Sequence, residues 1–191
     1  MKNNSFDISN ISTTSLENPK FVKPLRINYT QNKKNKTWEA VQSHDSVSIL
    51  LYHKTKNAFL VVKQFRPPVY VHHSDYLFTY ELCAGIIDKN MPLNQIVQEE
   101  IDEECGYKVE LHDISKISSF FTNVGVSGAK QHLYFAQIDE SMKVHEGGGI
   151  NDEQIELEFI SLDKSKQFIF DESKAKTPGL IFAFYWFFEN F

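Results

Sequence analysis

The sequence predicts one main domain of mixed α/β type, a sandwich of helices packed on a mixed β-sheet, and three observations predict it. Short β-branched and apolar runs recur between turn-forming residues. One segment, Pro92 to Cys105, has helical periodicity and helix punctuation. Two further helical patterns close the chain. Strands interleaved with a few helices build such a sandwich, and 191 residues, 41% hydrophobic and 24% charged, suffice for one core and an appendage.

The elements follow in chain order. Residues 1–20, rich in Asn, Ser and Thr, read as a flexible N-terminal arm. Phe21–Thr30 and Lys36–Val41, joined by a turn at Gln31–Asn35, predict a hairpin, so residues 21–43 form an N-terminal β extension and 44–191 the main domain. Ser46–Tyr52 and Ala58–Phe65 predict a buried hairpin. Arg66-Pro67-Pro68 ends it, because proline fixes φ and lacks an amide donor, and a loop is expected there. Tyr76–Cys83 reads as a strand, Pro92–Cys105 as a helix closed by Gly106, and Ile114–Thr122 and Gln131–Ile138 as strands about a Gly125–Gly128 turn. Ile155–Ile160 is a further strand, with helices expected at Leu162–Phe170 and Gly179–Phe188.

Composition narrows the function. A net charge of −5 with no Lys/Arg cluster argues against nucleic-acid binding, which depends on neutralising phosphates. No apolar run is long enough to span a bilayer, and Met1–Asn18 has no signal-peptide core, so no membrane partner and a cytoplasmic location are expected. Cys83 and Cys105 read as packed thiols, and the scattered histidines have no zinc-type spacing.

The chemistry concentrates in one helix. Glu99, Glu100, Asp102, Glu103 and Glu104 fill its C-terminal half, where the macrodipole is negative and neighbouring carboxylates repel. Helical spacing puts Glu100 and Glu104 on the side of Leu93, Ile96 and Val97, the core face. Carboxylates placed there must take up protons or recruit a counter-charge. A divalent cation satisfies them, with Glu103 on the adjoining flank completing an oxygen set suited to Mg²⁺. The competing reading is a solvated acidic face.

Gly85, the helix and Glu100-Ile101-Asp102-Glu103-Glu104-Cys105-Gly106-Tyr107 resemble the Nudix box, which ends R-E-U-x-E-E-x-G-U with U apolar. Two positions depart from it: Met91 stands where the box has its first Glu, and Glu99 where it has Arg. Those two form an ion pair in the family, so both partners are replaced together, which is less damaging than stranding one charge. Further words carry the resemblance over roughly Phe21 to Phe188: Lys23-Pro24-Leu25-Arg26, Tyr29-Thr30-Gln31-Asn32, His44-Asp45-Ser46-Val47, Lys63-Gln64-Phe65-Arg66-Pro67 and Gly147-Gly148-Gly149. They are most similar to the UDP-glucose diphosphatase and ADP-ribose pyrophosphatase branch of the Nudix hydrolases. The resemblance implies an α/β/α sandwich with a mixed sheet, an N-terminal β extension used in dimerisation, and a homodimer.

It also implies the site. Glu100 and Glu104 would bind Mg²⁺, or alternatively Mn²⁺, helped by the Ala84 carbonyl, with Glu103 a further ligand or the base that activates water. Glu153, after the Gly147–Gly149 run, is implied as ligand or base, while Asn151 stands where some relatives have a catalytic Glu. Three glycines permit unusual backbone angles and close approach to phosphates, or simply mark a hairpin tip. Arg66 suits a bidentate phosphate contact, or else a surface ion pair. Glu81 touches substrate or a nearby water, or is an exposed strand residue. Tyr29, Trp38 or Tyr70 offer rings for stacking on a nucleobase, whereas the aromatic run Phe182–Phe188 reads as packing. The expected activity is hydrolysis of a nucleoside diphosphate sugar such as UDP-glucose to nucleoside monophosphate and sugar 1-phosphate. ADP-ribose, ADP-sugar or GDP-mannose hydrolysis is the alternative within enzymes, and a catalytically weak nucleotide-binding module the alternative outside them.

Overall fold

The computed structural model describes residues 8–14, 16–19, 22–150 and 153–191. The chain divides into two compact units, Met1–Ser43 and His44–Phe191.

In the first unit the described residues before Val22 carry neither helix nor strand. Strands β1 (Lys23–Gln31) and β2 (Lys34–Gln42) pair antiparallel. Their turn is tighter than the sequence predicts. It is the two residues Asn32 and Lys33, both at positive φ (53° and 63°), as a twist-matched hairpin turn requires. Phe21, expected to begin the first strand, lies outside the described residues.

The second unit is built on one mixed sheet. Strands β3 (Ser46–His53) and β4 (Ala58–Gln64) form the expected hairpin. After Arg66, where a loop is expected, the chain instead forms helix α1 (Pro67–His72), because prolines at the first helical positions have the right φ and no amide to waste. The strand expected at Tyr76–Cys83 is two strands, β5 (Thr79–Glu81) and β6 (Cys83–Ile86). They part at Leu82 because they serve different partners, β5 pairing with β4 and β6 with β3. Helix α2 (Leu93–Glu100) follows. Strands β7 (Ser115–Phe121) and β8 (Lys130–Ile138) form a hairpin, with β8 parallel to β3. Strand β9 (Ile155–Ser161) pairs with β4 and leads into α3 (Leu162–Phe170). The two-residue strand β10 (Ala175–Lys176), too short for any periodicity, precedes α4 (Pro178–Asn190).

Alternation along the strands makes two cores, one on each face of the sheet. Val47, Ile49 and Leu51 of β3 meet Ile96 and Val97 of α2 in a mainly aliphatic cluster that also holds Tyr107 and Tyr134. Leu50 of β3, with Phe59 and Val61 of β4, meets Phe168 of α3 and Phe184 and Phe187 of α4. This is the α/β/α sandwich with a mixed sheet. Cys83 and Cys105 are buried free thiols on the α2 side. No described helix is long and apolar enough to cross a membrane.

Candidate active site

Strand β3 changes partner along its length: Ser46–Ile49 pair with β6, and Leu51–His53 with β4. At this division lies a cleft of about 470 Å³, with Gln64 and Arg66 from the β4 side, Ala84 and Gly85 from β6, Glu100 from the end of α2, and Glu103 and Glu104 from the turn that continues it.

The helix does not stay α-helical to Cys105 as its pattern predicts. It widens into a π-turn over Ile101–Cys105, a local expansion that recurs at functional sites. The expected core-facing angle nonetheless holds where it matters. Glu104 is 6% exposed, among the few buried charged groups of the described residues, and Glu100 is half-buried. Glu104 Oε2 accepts the Ala84 N–H at 2.9 Å. Burial, opposed by that hydrogen bond and reinforced by the Glu100 charge, raises the Glu104 pKa to about 8. Burial and the Glu103 charge raise Glu100 to about 7. Gly85 sits directly under Glu100, and a Cβ there would come within 1.9 Å of the carboxylate. Beneath, Cys83 Sγ donates to the Glu100 carbonyl at 3.3 Å, and burial holds this thiol in its protonated form.

The triple glycine brings the distant loop in against the end of the helix. The Gly148 and Gly149 amides donate to the carbonyls of Glu104 and Glu103, at 2.8 and 3.2 Å, covering carbonyls that a helix end leaves unsatisfied. Gly147 has φ 71°, and a Cβ on it would lie 2.4 Å from the Glu104 carbonyl oxygen. Close approach to backbone therefore requires glycine there. This docking sets Glu153 in the cleft, its Oε2 accepting the Ile150 N–H at 3.1 Å. Asn151 and Asp152 lie outside the described residues.

Arg66 and Glu81 form one unit. Arg66 Nε and Nη2 donate to the two oxygens of Glu81 at 2.8 and 2.9 Å, and Thr79 Oγ1 donates to Glu81 Oε1 at 2.6 Å. The Arg66 ion pair is thus a feature of the cleft, and Glu81, with 12% side-chain exposure, is an anchor instead of an exposed strand residue. Tyr70 packs its ring on Phe65, 5.5 Å between centroids. Tyr29 and Trp38 belong to the hairpin of the first unit and are exposed.

At the altered box positions, Met91 packs on the aliphatic cluster, and Glu99 has a partner that sequence reading missed. Lys89, from the segment between β6 and α2, donates to Glu99 Oε2 at 2.5 Å. Positions 91 and 99 thus make no ion pair with each other, and Glu99 is instead paired with Lys89. Its only sequence signal is opposite charge across the start of the helix.

The residues present suit a hard divalent cation: buried carboxylate oxygens with elevated proton affinity face a cleft, beside a backbone that lacks a Cβ where Glu100 rests. As the side chains stand, the described His, Cys, Asp and Glu residues form no group of three able to hold a metal ion. Glu104 and Glu153 are each turned to a backbone amide.

No family model matches the chain. It is 32% identical over 196 residues to the uridine diphosphate glucose pyrophosphatase NUDT14 of Bos taurus, covering 88% of each chain. Identity to the Mus musculus protein of the same name is 28% over 198 residues, covering 89% of each. A GDP-mannose pyrophosphatase of Pectobacterium atrosepticum is 33% identical over 119 residues, 62% of this chain and 60% of its own. Fold and relatives agree on an enzyme class, hydrolases of the diphosphate linkage of nucleotide sugars. The chain belongs to the Nudix hydrolases, enzymes that generally use divalent metals.

Proposed function

We propose that the chain hydrolyses the diphosphate linkage of a nucleoside diphosphate sugar, UDP-glucose or a close analogue, to nucleoside monophosphate and sugar 1-phosphate. The observation that carries the chemistry is Glu104, a buried carboxylate in the π-turn that continues α2, facing a cleft that also holds Arg66. The names of the relatives support a nucleotide sugar as substrate.

Glu100, Glu103, Glu104 and Glu153, with the Ala84 carbonyl, would hold Mg²⁺ or Mn²⁺. When bound, the cation supplies positive charge against the charge that develops on phosphate and acidifies water. Arg66, fixed by Glu81, orients one phosphate. Glu103 and Glu153 are the two candidates for accepting the proton of the attacking water. Gly85 gives Glu100 the room it occupies, and the glycine loop keeps Glu153 at the helix end. Tyr29 and Trp38 are proposed as base-stacking residues.

The hairpin's exposed apolar residues, Leu25, Ile27 and Tyr29 along one face of β1, support dimerisation through a second copy, since a two-stranded hairpin is marginal alone. The net charge of −5 supports small-molecule substrates over nucleic acid, and a cytoplasmic location belongs to the same reading.

The test is a screen of purified protein with Mg²⁺ against UDP-glucose, ADP-ribose, ADP-glucose and GDP-mannose, reading nucleoside monophosphate and sugar phosphate. UDP-glucose is expected to be cleaved fastest. Preference for an adenine or guanine substrate would replace the base assignment. Binding without cleavage of any would favour the nucleotide-binding module.

A further inference from the structure

The geometry points to Lys89 as a phosphate-binding residue of the cleft, one that leaves Glu99 to meet the substrate's diphosphate. This rests on the nucleotide-sugar reading of the same site. Among the described lining residues, six carboxylates (Glu81, Asp88, Glu100, Glu103, Glu104 and Glu153) face two cations, Arg66 and Lys89. A dianionic diphosphate entering such a cleft needs cationic contacts from the protein as well as neutralised glutamates.

The two cations are held differently. Arg66 makes a bidentate pair with Glu81, which Thr79 holds in turn, so its direction is fixed and its charge matched. Lys89 makes one ion pair, to Glu99, a residue that does not line the cleft among those described. The side chains of Lys89 and Glu99 are 50% and 39% exposed. A pair so exposed adds little to stability, so exchanging its partner costs little. A lysine ammonium carries three rotatable donors on a flexible stem, which suits a contact that moves. Lys89 is also close enough to Glu103 and Glu100 for their charges to act on it, which puts the ammonium at the end of the cleft where the glutamates gather. The competing role is a strap that only ties the β6–α2 segment to the helix.

The two roles separate in steady-state kinetics with UDP-glucose and Mg²⁺. Lys89→Met is expected to raise KM about tenfold or more, with kcat within a few-fold. Lys89→Arg should retain most of the affinity. Glu99→Gln, which removes the resting partner and keeps the lysine, should leave KM unchanged or lower it. Equal losses in Lys89→Met and Glu99→Gln would establish the strap and overturn the assignment, as would an unchanged KM in Lys89→Met. A readout without turnover separates this inference from the proposed activity: calorimetric binding of methylenediphosphonate with Mg²⁺. If the wild-type protein cleaves no nucleotide sugar but Lys89→Met alone weakens diphosphonate binding, the activity fails and Lys89 stands. If the wild type cleaves UDP-glucose and Lys89→Met matches it in KM and binding, the activity stands and Lys89 fails. A wild type that neither cleaves a nucleotide sugar nor binds the diphosphonate overturns both.

Discussion

The two faces of the central sheet are packed from the same strands and do different work. On the α3 and α4 face the residues are aromatic and interlock: Phe59 stacks on Phe184 with centroids 4.2 Å apart and meets Phe187 edge-on at 4.9 Å. On the α2 face the core is mainly aliphatic, with Tyr107 and Tyr134 among it, and ends at a buried carboxylate, Glu104, beside the half-buried Glu100. One face gains stability from the apolar groups it buries. The other buries groups that oppose folding unless they are protonated or matched by a cation. A layer of strands separates the aromatic core from the proposed chemistry, so a change on one face should not copy its effect to the other.

The largest expected effect breaks the chemical face alone. Glu104→Gln keeps size and removes charge, and should slow Mg²⁺-dependent turnover by about 100-fold or more. In EDTA the variant should melt at the wild-type temperature or slightly above, because it removes a carboxyl that folding must either protonate or bury charged. Turnover near wild type at saturating Mg²⁺ would refute the assignment of Glu104, and a lower melting temperature in EDTA would refute the charge argument.

The aromatic face should answer in the opposite way. Phe184 is fully buried, and truncating such a residue costs about 3 to 5 kcal/mol. For a chain of this size Phe184→Ala should lower Tm by about 10 °C, while kcat per folded molecule stays within a few-fold of wild type. A loss of kcat comparable to that in Glu104→Gln, measured well below the melting transition, would show that the faces are coupled through the sheet.

Legibility in the sequence follows the same division. The strands β3, β4, β7, β8 and β9 and the helices α3 and α4 were readable because apolar runs and turn residues mark them locally. So was the position of Glu100 and Glu104, since helical spacing survives from α2 into the turn that follows. The π-turn was not readable, because widening one turn leaves the hydrophobic pattern almost unchanged. Nor was the break at Leu82, which exists only because β5 and β6 pair with different strands. The role of Gly147–Gly149 was half legible: the glycines announce close approach, but only the fold shows that helix carbonyls are what they approach. Lys89 was invisible as a partner of Glu99 because neither periodicity nor the expected box positions join a residue before the helix to one near its end.

The smallest effect concerns pH and would sharpen the contrast in the metal-free protein. Glu100 and Glu104 titrate near 7 and 8 in the folded chain against an ordinary carboxylate value near 4 once unfolded. A raised acid pKa means that the folded state holds protons which the unfolded state has released. Their contribution to stability is present in full below the unfolded pKa, declines as pH rises between the two values, and is gone above the folded ones. In EDTA, Tm should therefore fall by a few degrees from about pH 5.5 to about pH 8.5. The half-exposure of Glu100 and access of water to the cleft keep the change modest. Mg²⁺ binds the ionised carboxylates, so the Tm increase it produces should grow across the same window. Phe184→Ala should shift the whole curve down without changing its slope, whereas Glu104→Gln should flatten it. A metal-free Tm that stays level or rises over this range, or a slope untouched by Glu104→Gln, would show that the buried glutamates do not set the pH response of the α2 face.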